Sequence, residues 1–64
     1  MQIPSGARVT LVRGDYDVPV GSEGVVVRWD HGDSDFYTYE VDFTVGEKTV
    51  RLYEVWDHHL RRTL

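Results

Sequence analysis

Residues 24–30, GVVVRWD, form the strongest strand signal in the chain. Valine and tryptophan favour extended backbone, and the polar turn that follows Asp30 marks the end of the run. Three consecutive valines do not alternate between apolar and polar side chains. Such runs occur where a strand is covered on both faces or bends at a barrel corner. The stretch therefore predicts a strand in a β-rich domain and leaves open which of these two explanations applies.

Two other stretches do alternate. Residues 7–13 (ARVTLVR) place apolar side chains at positions 7, 9 and 11, and residues 36–43 (FYTYEVDF) place them at 37, 39, 41 and 43. A period of two indicates a strand with one face buried. Residues 44–47 are predicted to form a short hairpin turn, and residues 48–53 and 60–64 complete a set of five strands.

The connections complete the predicted architecture. Residues 14–23 form a long first loop, in which Gly14 and Gly21 permit turns and Pro19 lacks a backbone donor. The tail after residue 53 is short for an isolated helix, so we predict one helical or 3₁₀ turn over residues 56–59 before the last strand. The pattern predicts a single all-β domain, residues 1–64, built as a five-stranded SH3-like barrel. Closure of the barrel would remove exposed sheet edges.

Composition narrows the class of protein. The 64 residues include no cysteine, which excludes disulfides and thiolate zinc sites, and a chain of this length has a small core. No apolar run approaches the roughly 20 residues of a membrane span. The first five residues lack the basic and apolar regions of a signal peptide. We therefore expect a cytoplasmic protein without a membrane segment.

The charges are unevenly distributed. The net charge is −4, and the stretch from Trp29 to Glu47 contains six acids and no base. Affinity for nucleic acid depends on lysine and arginine at phosphates, so nucleic acid is an unfavourable partner for this chain. A basic protein surface is the better electrostatic match.

Three short patterns carry a resemblance to a known group, namely Gly6-x-x-Val9-x-Leu11, Gly21-x-x-Gly24-x-Val26 and Tyr39-x-Val41-x-Phe43. The chain resembles the small SH3-like barrels grouped as electron-transport accessory proteins. These include photosystem I subunit IV, the ferredoxin-thioredoxin reductase variable chain and the nitrile hydratase β-subunit barrel. The likeness runs from about Gly6 to Leu64 and consists mainly of glycines and alternating apolar residues. It implies an accessory or docking module and names no partner.

Two alternatives from other function classes stay open. A KOW- or Tudor-type barrel would bind nucleic acid, but a KOW loop supplies lysine and arginine, whereas this first loop supplies acids. The bases available for that function are Arg8, Arg51, Arg61 and Arg62. An inhibitor that mimics the charge of nucleic acid would instead use the six acids of the central stretch. The polyproline-binding SH3 domains also have an acidic first loop, but their other sequence motifs do not appear here in the expected order.

The aromatic side chains are the leading candidates for a binding site. Eight aromatics exceed what so small a domain readily buries, and exposed aromatics are common anchors at protein interfaces. We expect Tyr39, Phe43 and Trp56 to pack in or around the core. The predicted partner-binding residues lie in the first loop and in the hairpin that follows residue 28, and they are Asp15, Tyr16, Asp17, Trp29, Phe36 and Tyr37.

No pattern predicts catalysis, a cofactor or a metal. The acids Asp30, Asp33 and Asp35 are spaced as in an oxygen-ligand loop, but the glycine and the terminal glutamate of such loops are not in place. His58 and His59 are expected to point to different sides of the backbone and not to chelate together. We therefore predict a protein that is not an enzyme and that has no cofactor.

Overall fold

The computed structural model of the chain describes residues 2–31 and 36–63. The secondary structure is all β apart from one 3₁₀ turn, η1, which confirms the predicted fold class at this level. The strands are β1 (Arg8–Leu11), β2 (Glu23–Asp30), β3 (Thr38–Val45), β4 (Lys48–Trp56) and β5 (Leu60–Arg62), with η1 (Asp57–His59) between the last two. Within the described residues, no helix has the length and apolarity needed to cross a membrane.

The five strands form one antiparallel sheet in the order β4-β3-β2-β1-β5. Residues far apart in sequence become neighbours in this sheet, as where Leu11 of β1 lies opposite Leu60 of β5. Strands β4 and β5 are the two edges, and in the described part of the chain they do not pair with each other. The sheet is therefore open, whereas the sequence predicted a closed barrel.

The core lies on the concave face of the sheet. The predicted inward positions of β1 and β3 are confirmed, because Val9, Leu11, Tyr39, Val41 and Phe43 are fully buried. Val18 of the first loop and Val55 of β4 also belong to the core. A loop residue in the core explains why the first loop packs against the sheet.

Strand β2 carries a bulge, which agrees with one of the two explanations that its valine run left open. Val26 is buried while its neighbour Val25 is exposed, and the pairing with β3 shifts between Val26 and Arg28. A bulge of this kind strengthens the local twist and turns the end of the strand. As a result, the Trp29 end of β2 does not continue the regular alternation.

The end of β4 differs from the predicted one. Strand β4 runs three residues beyond the predicted end at residue 53, and it does so because Val55 and Trp56 pair with Tyr39 and Thr38 of β3. The 3₁₀ turn accordingly starts at Asp57 and not at residue 56. This longer strand decides where Trp56 points.

The side chain of Tyr39 is fully buried in the core. Its hydroxyl accepts a hydrogen bond from the backbone N–H of Ile3 at 2.8 Å, which ties the N-terminal segment to the sheet. Burial raises the pKa of Tyr39 above its ordinary value of 10.0.

Replacement of Tyr39 by phenylalanine tests this tie. The ring keeps its packing, but the Ile3 N–H loses its acceptor, so we expect the free energy of unfolding to fall by about 1 kcal/mol. Urea denaturation measures the loss. Tyr37→Phe, which changes a half-buried tyrosine two residues away, is the control and should leave stability nearly unchanged. A Tyr39→Phe protein as stable as the wild type would contradict the assignment.

Candidate interaction surface

The site begins where β4 meets the 3₁₀ turn. Val55 is buried. The backbone at Trp56 is extended (φ −66°, ψ 144°), so the side chain of Trp56 lies on the opposite face, where it is exposed. The N–H of Asp57 then donates to the carbonyl of Tyr37 at 3.1 Å, which holds the turn against the segment that precedes β3. These two backbone features bring residues 36 and 56–58 to one surface.

Three rings form a cluster on this surface, which we call the aromatic triad: Phe36, Trp56 and His58. The ring centroids of Phe36 and Trp56 lie 5.5 Å apart, and those of Phe36 and His58, and of Trp56 and His58, lie 5.8 Å apart. Phe36 is 48% exposed and Trp56 is 40% exposed. The triad is therefore an ordered patch of apolar surface that faces solvent.

The rings of the triad pack on one another and do not enclose a space. The Phe36 and Trp56 rings meet edge to face at an interplanar angle of 71°. A cage for a quaternary ammonium ion needs ring faces turned toward an open centre. The triad instead offers a nearly continuous ring-covered surface, which suits contact with an apolar side chain.

An open groove of about 470 Å³ runs beside the triad. Its floor is largely apolar because Ile3 of the N-terminal segment and Leu60 of β5 line it. Arg62 and Asp57 contribute charged groups to its walls, and Phe36 and His58 are shared with the triad. The groove therefore extends the apolar surface of the triad toward β5.

The side chain of Tyr16 holds the first loop next to this surface. The Tyr16 hydroxyl lies 2.6 Å from Nδ1 of His59 and accepts a hydrogen bond from the N–H of Trp56 at 3.2 Å. Gly14 makes this possible: its φ is +109°, and a Cβ at that position would collide with the Tyr16 ring. Glycine adopts such backbone angles readily, whereas other residues are strained there.

The two acids of the first loop are exposed. Asp15 and Asp17 flank Tyr16, and within residues 2–31 and 36–63 neither makes a hydrogen bond or an ion pair. Because the ring of Tyr16 contacts His59, the loop carries these carboxylates beside the η1 turn. The apolar patch thus has two exposed acids in the adjoining loop.

Trp29 and Tyr37 form a separate pair of rings. Their centroids lie 5.4 Å apart in an edge-to-face arrangement, and the His31 ring lies 4.6 Å from that of Tyr37. Tyr37 also approaches the buried ring of Tyr39, at 6.4 Å. This pair anchors the end of β2 to the start of β3.

The six predicted partner-binding residues thus occupy three neighbouring groups. Phe36 belongs to the triad, Tyr16 with Asp15 and Asp17 belongs to the fastened loop, and Trp29 pairs with Tyr37. Of the three aromatics predicted to pack in or around the core, Tyr39 and Phe43 are fully buried in it, whereas Trp56 is 40% exposed and lies outside it. Sequence reasoning assigned to this surface none of its other contributors, which are Ile3, Trp56, Asp57, His58, Leu60 and Arg62. Simple alternation from Val50 and Leu52 would have placed Trp56 inside, but the pairing of β4 with β3 shifts between Leu52 and Val55 and places Val55 there instead.

The two adjacent histidines lie closer together than predicted. In the 3₁₀ turn their ring centroids are 4.4 Å apart, edge to face, rather than on different sides of the backbone. His58 is exposed and lies 3.3 Å from a carboxylate oxygen of Asp57. No group of three metal-ligating side chains is found in the described ranges, and Asp33 and Asp35 fall outside them.

The convex face of the sheet carries an ion-pair network. Arg51 binds Asp42 with two hydrogen bonds, of 2.6 and 2.9 Å, and lies 3.4 Å from Glu40. The guanidinium holds the pKa of Asp42 below its ordinary value, and the carboxylates raise the pKa of Arg51. Arg51 is therefore committed to two acids of β3.

The chain matches no known family model, no curated protein and no solved structure at a significant level.

Proposed function

We propose that this protein is a non-enzymatic docking module that binds a partner protein through the aromatic triad and the first loop. The observation that carries the proposal is the exposure of Phe36 and Trp56, packed against each other at a surface that the fold holds in place. Rigid, exposed aromatics give large contact area at low entropic cost, and such residues dominate the energetics of protein interfaces.

The occupant we propose is an extended, basic segment of the partner with an apolar residue near its bases. The groove lined by Ile3 and Leu60 accommodates the apolar side chain, and Asp15 and Asp17 attract the lysine or arginine. The net charge of −4 favours the same partner at long range. Complementary charge accelerates encounter and sets register more than it adds affinity.

We also propose that the sheet is an SH3-like small barrel. A long loop follows β1, a two-residue turn joins β3 to β4, and a 3₁₀ turn precedes β5, which pairs with β1. This order of elements is the one that the strand and turn pattern of the sequence predicted for an SH3-like barrel, the fold of the electron-transport accessory proteins that the chain resembles. It supports the accessory role in general and no particular complex.

The nucleic-acid alternative has less support. Of the four arginines that it would use, Arg51 is bound to Asp42 and Glu40 and would have to break those contacts to reach a phosphate. The remaining bases are outnumbered by acids, and the negative net charge of the protein would repel the phosphates of a nucleic acid. Nucleic acid therefore enters the experiment below as a competing outcome.

The test measures binding of the full chain to short peptides in which arginines or lysines flank a leucine. Binding is followed by tryptophan fluorescence and by amide chemical shifts. We expect binding that weakens as salt rises, and Trp56→Ala or Phe36→Ala to weaken it about tenfold. Peptides with glutamate in place of the bases should not bind.

Tyr53→Ala is the matched control, because Tyr53 is an aromatic of β4 that is 67% exposed and lies outside the triad. It should bind the basic peptides as the wild type does. The proposal fails if Tyr53→Ala and Trp56→Ala weaken binding equally, or if the protein prefers a DNA or RNA duplex at low salt to every basic peptide.

A further inference from the structure

The hydroxyl of Tyr16 joins the first loop to residues 56–59, 40 or more positions away from Tyr16 in sequence. It accepts the N–H of Trp56 at 3.2 Å and lies 2.6 Å from His59 Nδ1. Because the oxygen already accepts the Trp56 N–H, its own proton is available to Nδ1. A neutral His59 with its proton on Nε2 is the acceptor that completes this arrangement.

We propose that the Tyr16–His59 contact is an acid-sensitive latch, which holds the first loop on the 3₁₀ turn when His59 is neutral and releases it when His59 is protonated. Release moves Asp15 and Asp17 away from the aromatic triad. The latch is a conformational property of the free protein, so it does not depend on the docking function proposed above.

The groups that face His59 favour its neutral form. Burial, then the adjacent imidazole of His58, then the guanidinium of Arg13 lower the pKa of His59, and Asp57 opposes them. Arg13 reaches it from the first loop, and His58 and Asp57 belong to the same 3₁₀ turn. A proton on Nδ1 of His59 would therefore lie near two basic side chains, and it would require the Tyr16 hydroxyl to turn its own proton away from the imidazole.

The direction of the pH effect follows from this lowered pKa. Opening of the loop would remove burial of His59 and the nearby Arg13, so the pKa of His59 would rise from its lowered position toward the ordinary value of 6.5. The open state therefore binds protons more readily between the two values. Stabilisation of the closed loop is complete above pH 6.5 and is lost as pH falls through the pKa of the closed state.

The rest of the loop attachment does not titrate. The N–H of Val12 donates to the carbonyl of His59 at 2.9 Å, and Leu11 exchanges backbone hydrogen bonds with Gly21 and Ser22 at the neck of the loop. These bonds persist when His59 is protonated. We expect the motion to be confined to the part of the loop around Gly14, Tyr16 and the exposed acids.

The experiment is an NMR titration of the full chain from neutral to mildly acidic pH. The imidazole C–H resonances of His59 give its midpoint, and the amides of Trp56 and Tyr16 report the latch. We expect these amides to shift with the His59 midpoint, below 6.5. Hydrogen exchange at Trp56, corrected for the intrinsic pH dependence, should accelerate about tenfold below that midpoint.

Three variants separate the latch from general acid effects. Tyr16→Phe keeps the ring and should leave Trp56 exchanging fast at all pH values, whereas His59→Gln supplies an uncharged acceptor and should remove the pH step. His58→Gln should retain the step with a higher His59 midpoint. The proposal is overturned if the Trp56 and Tyr16 amides do not follow His59 in the wild type. It is also overturned if Tyr16→Phe keeps the wild-type step.

Discussion

Replacement of Phe43 by alanine is expected to abolish the cooperative fold of this domain or nearly so. Phe43 is fully buried and packs at the centre of the core, between Gly24 of β2 and Val50 of β4. Replacement of a buried phenylalanine by alanine costs about 3–5 kcal/mol. The protein loses the free energy gained by burying the ring, and it also bears the cost of the cavity left behind. The free energy of unfolding of a domain this small lies near the low end of the usual range of about 5–15 kcal/mol, so a loss of this size removes most of it.

The measurement is urea denaturation followed by circular dichroism and by the fluorescence of the two tryptophans. Phe36→Ala is the matched control, since it removes the same side chain from an exposed position. We expect it to change the free energy of unfolding by less than about 1 kcal/mol. If Phe36→Ala destabilised the protein as much as Phe43→Ala, the triad would be part of the core and not a surface for a partner.

Replacement of Gly24 by alanine is expected to have the second largest effect. Gly24 is buried where β2 pairs with both β1 and β3. A Cβ added there would lie 2.7 Å from the carbonyl oxygen of Asp42 and 2.9 Å from the Phe43 ring. Because one obstacle is the backbone of a central strand, the sheet itself must move.

Overpacking of this kind costs about 1–3 kcal/mol, and a clash with backbone belongs at the upper end. A fall in the midpoint of thermal unfolding measures it. Val25→Ala, at the next position of β2 on the exposed face, is the control and should cost less than about 1 kcal/mol. Equal stability of Gly24→Ala and the wild type would mean that β2 and β3 do not approach as closely as described.

Much of the fold was predictable because strand alternation is local. The side chains of a strand point to alternate faces, so the buried face of residues 39–43 can be read from the order of the residues. The bend of β2 was one of two explanations that its valine run left open. The long first loop and the turn before β5 followed from glycine, proline and the shortness of the tail.

The candidate surface was predictable only in part because it depends on register. Phe36 was identified from its position beside a polar turn, but its neighbour Trp56 was expected in or around the core. Trp56 points outward because the pairing of β4 with β3 shifts between Leu52 and Val55, so that Val55 takes the buried face. No local pattern in residues 54–56 specifies that pairing.

The sequence by itself determined the all-β class, the inward face of β1 and β3, and the excess of acids that favours a basic partner. These properties depend on side-chain chemistry and on a period of two, which act over a few residues. The tertiary structure decided that Phe36, Trp56 and His58 share one surface and that Tyr16 reaches His59 across 43 positions of sequence. Such contacts arise from the antiparallel register and from the return of β5 to β1, and both are set by packing of the whole core.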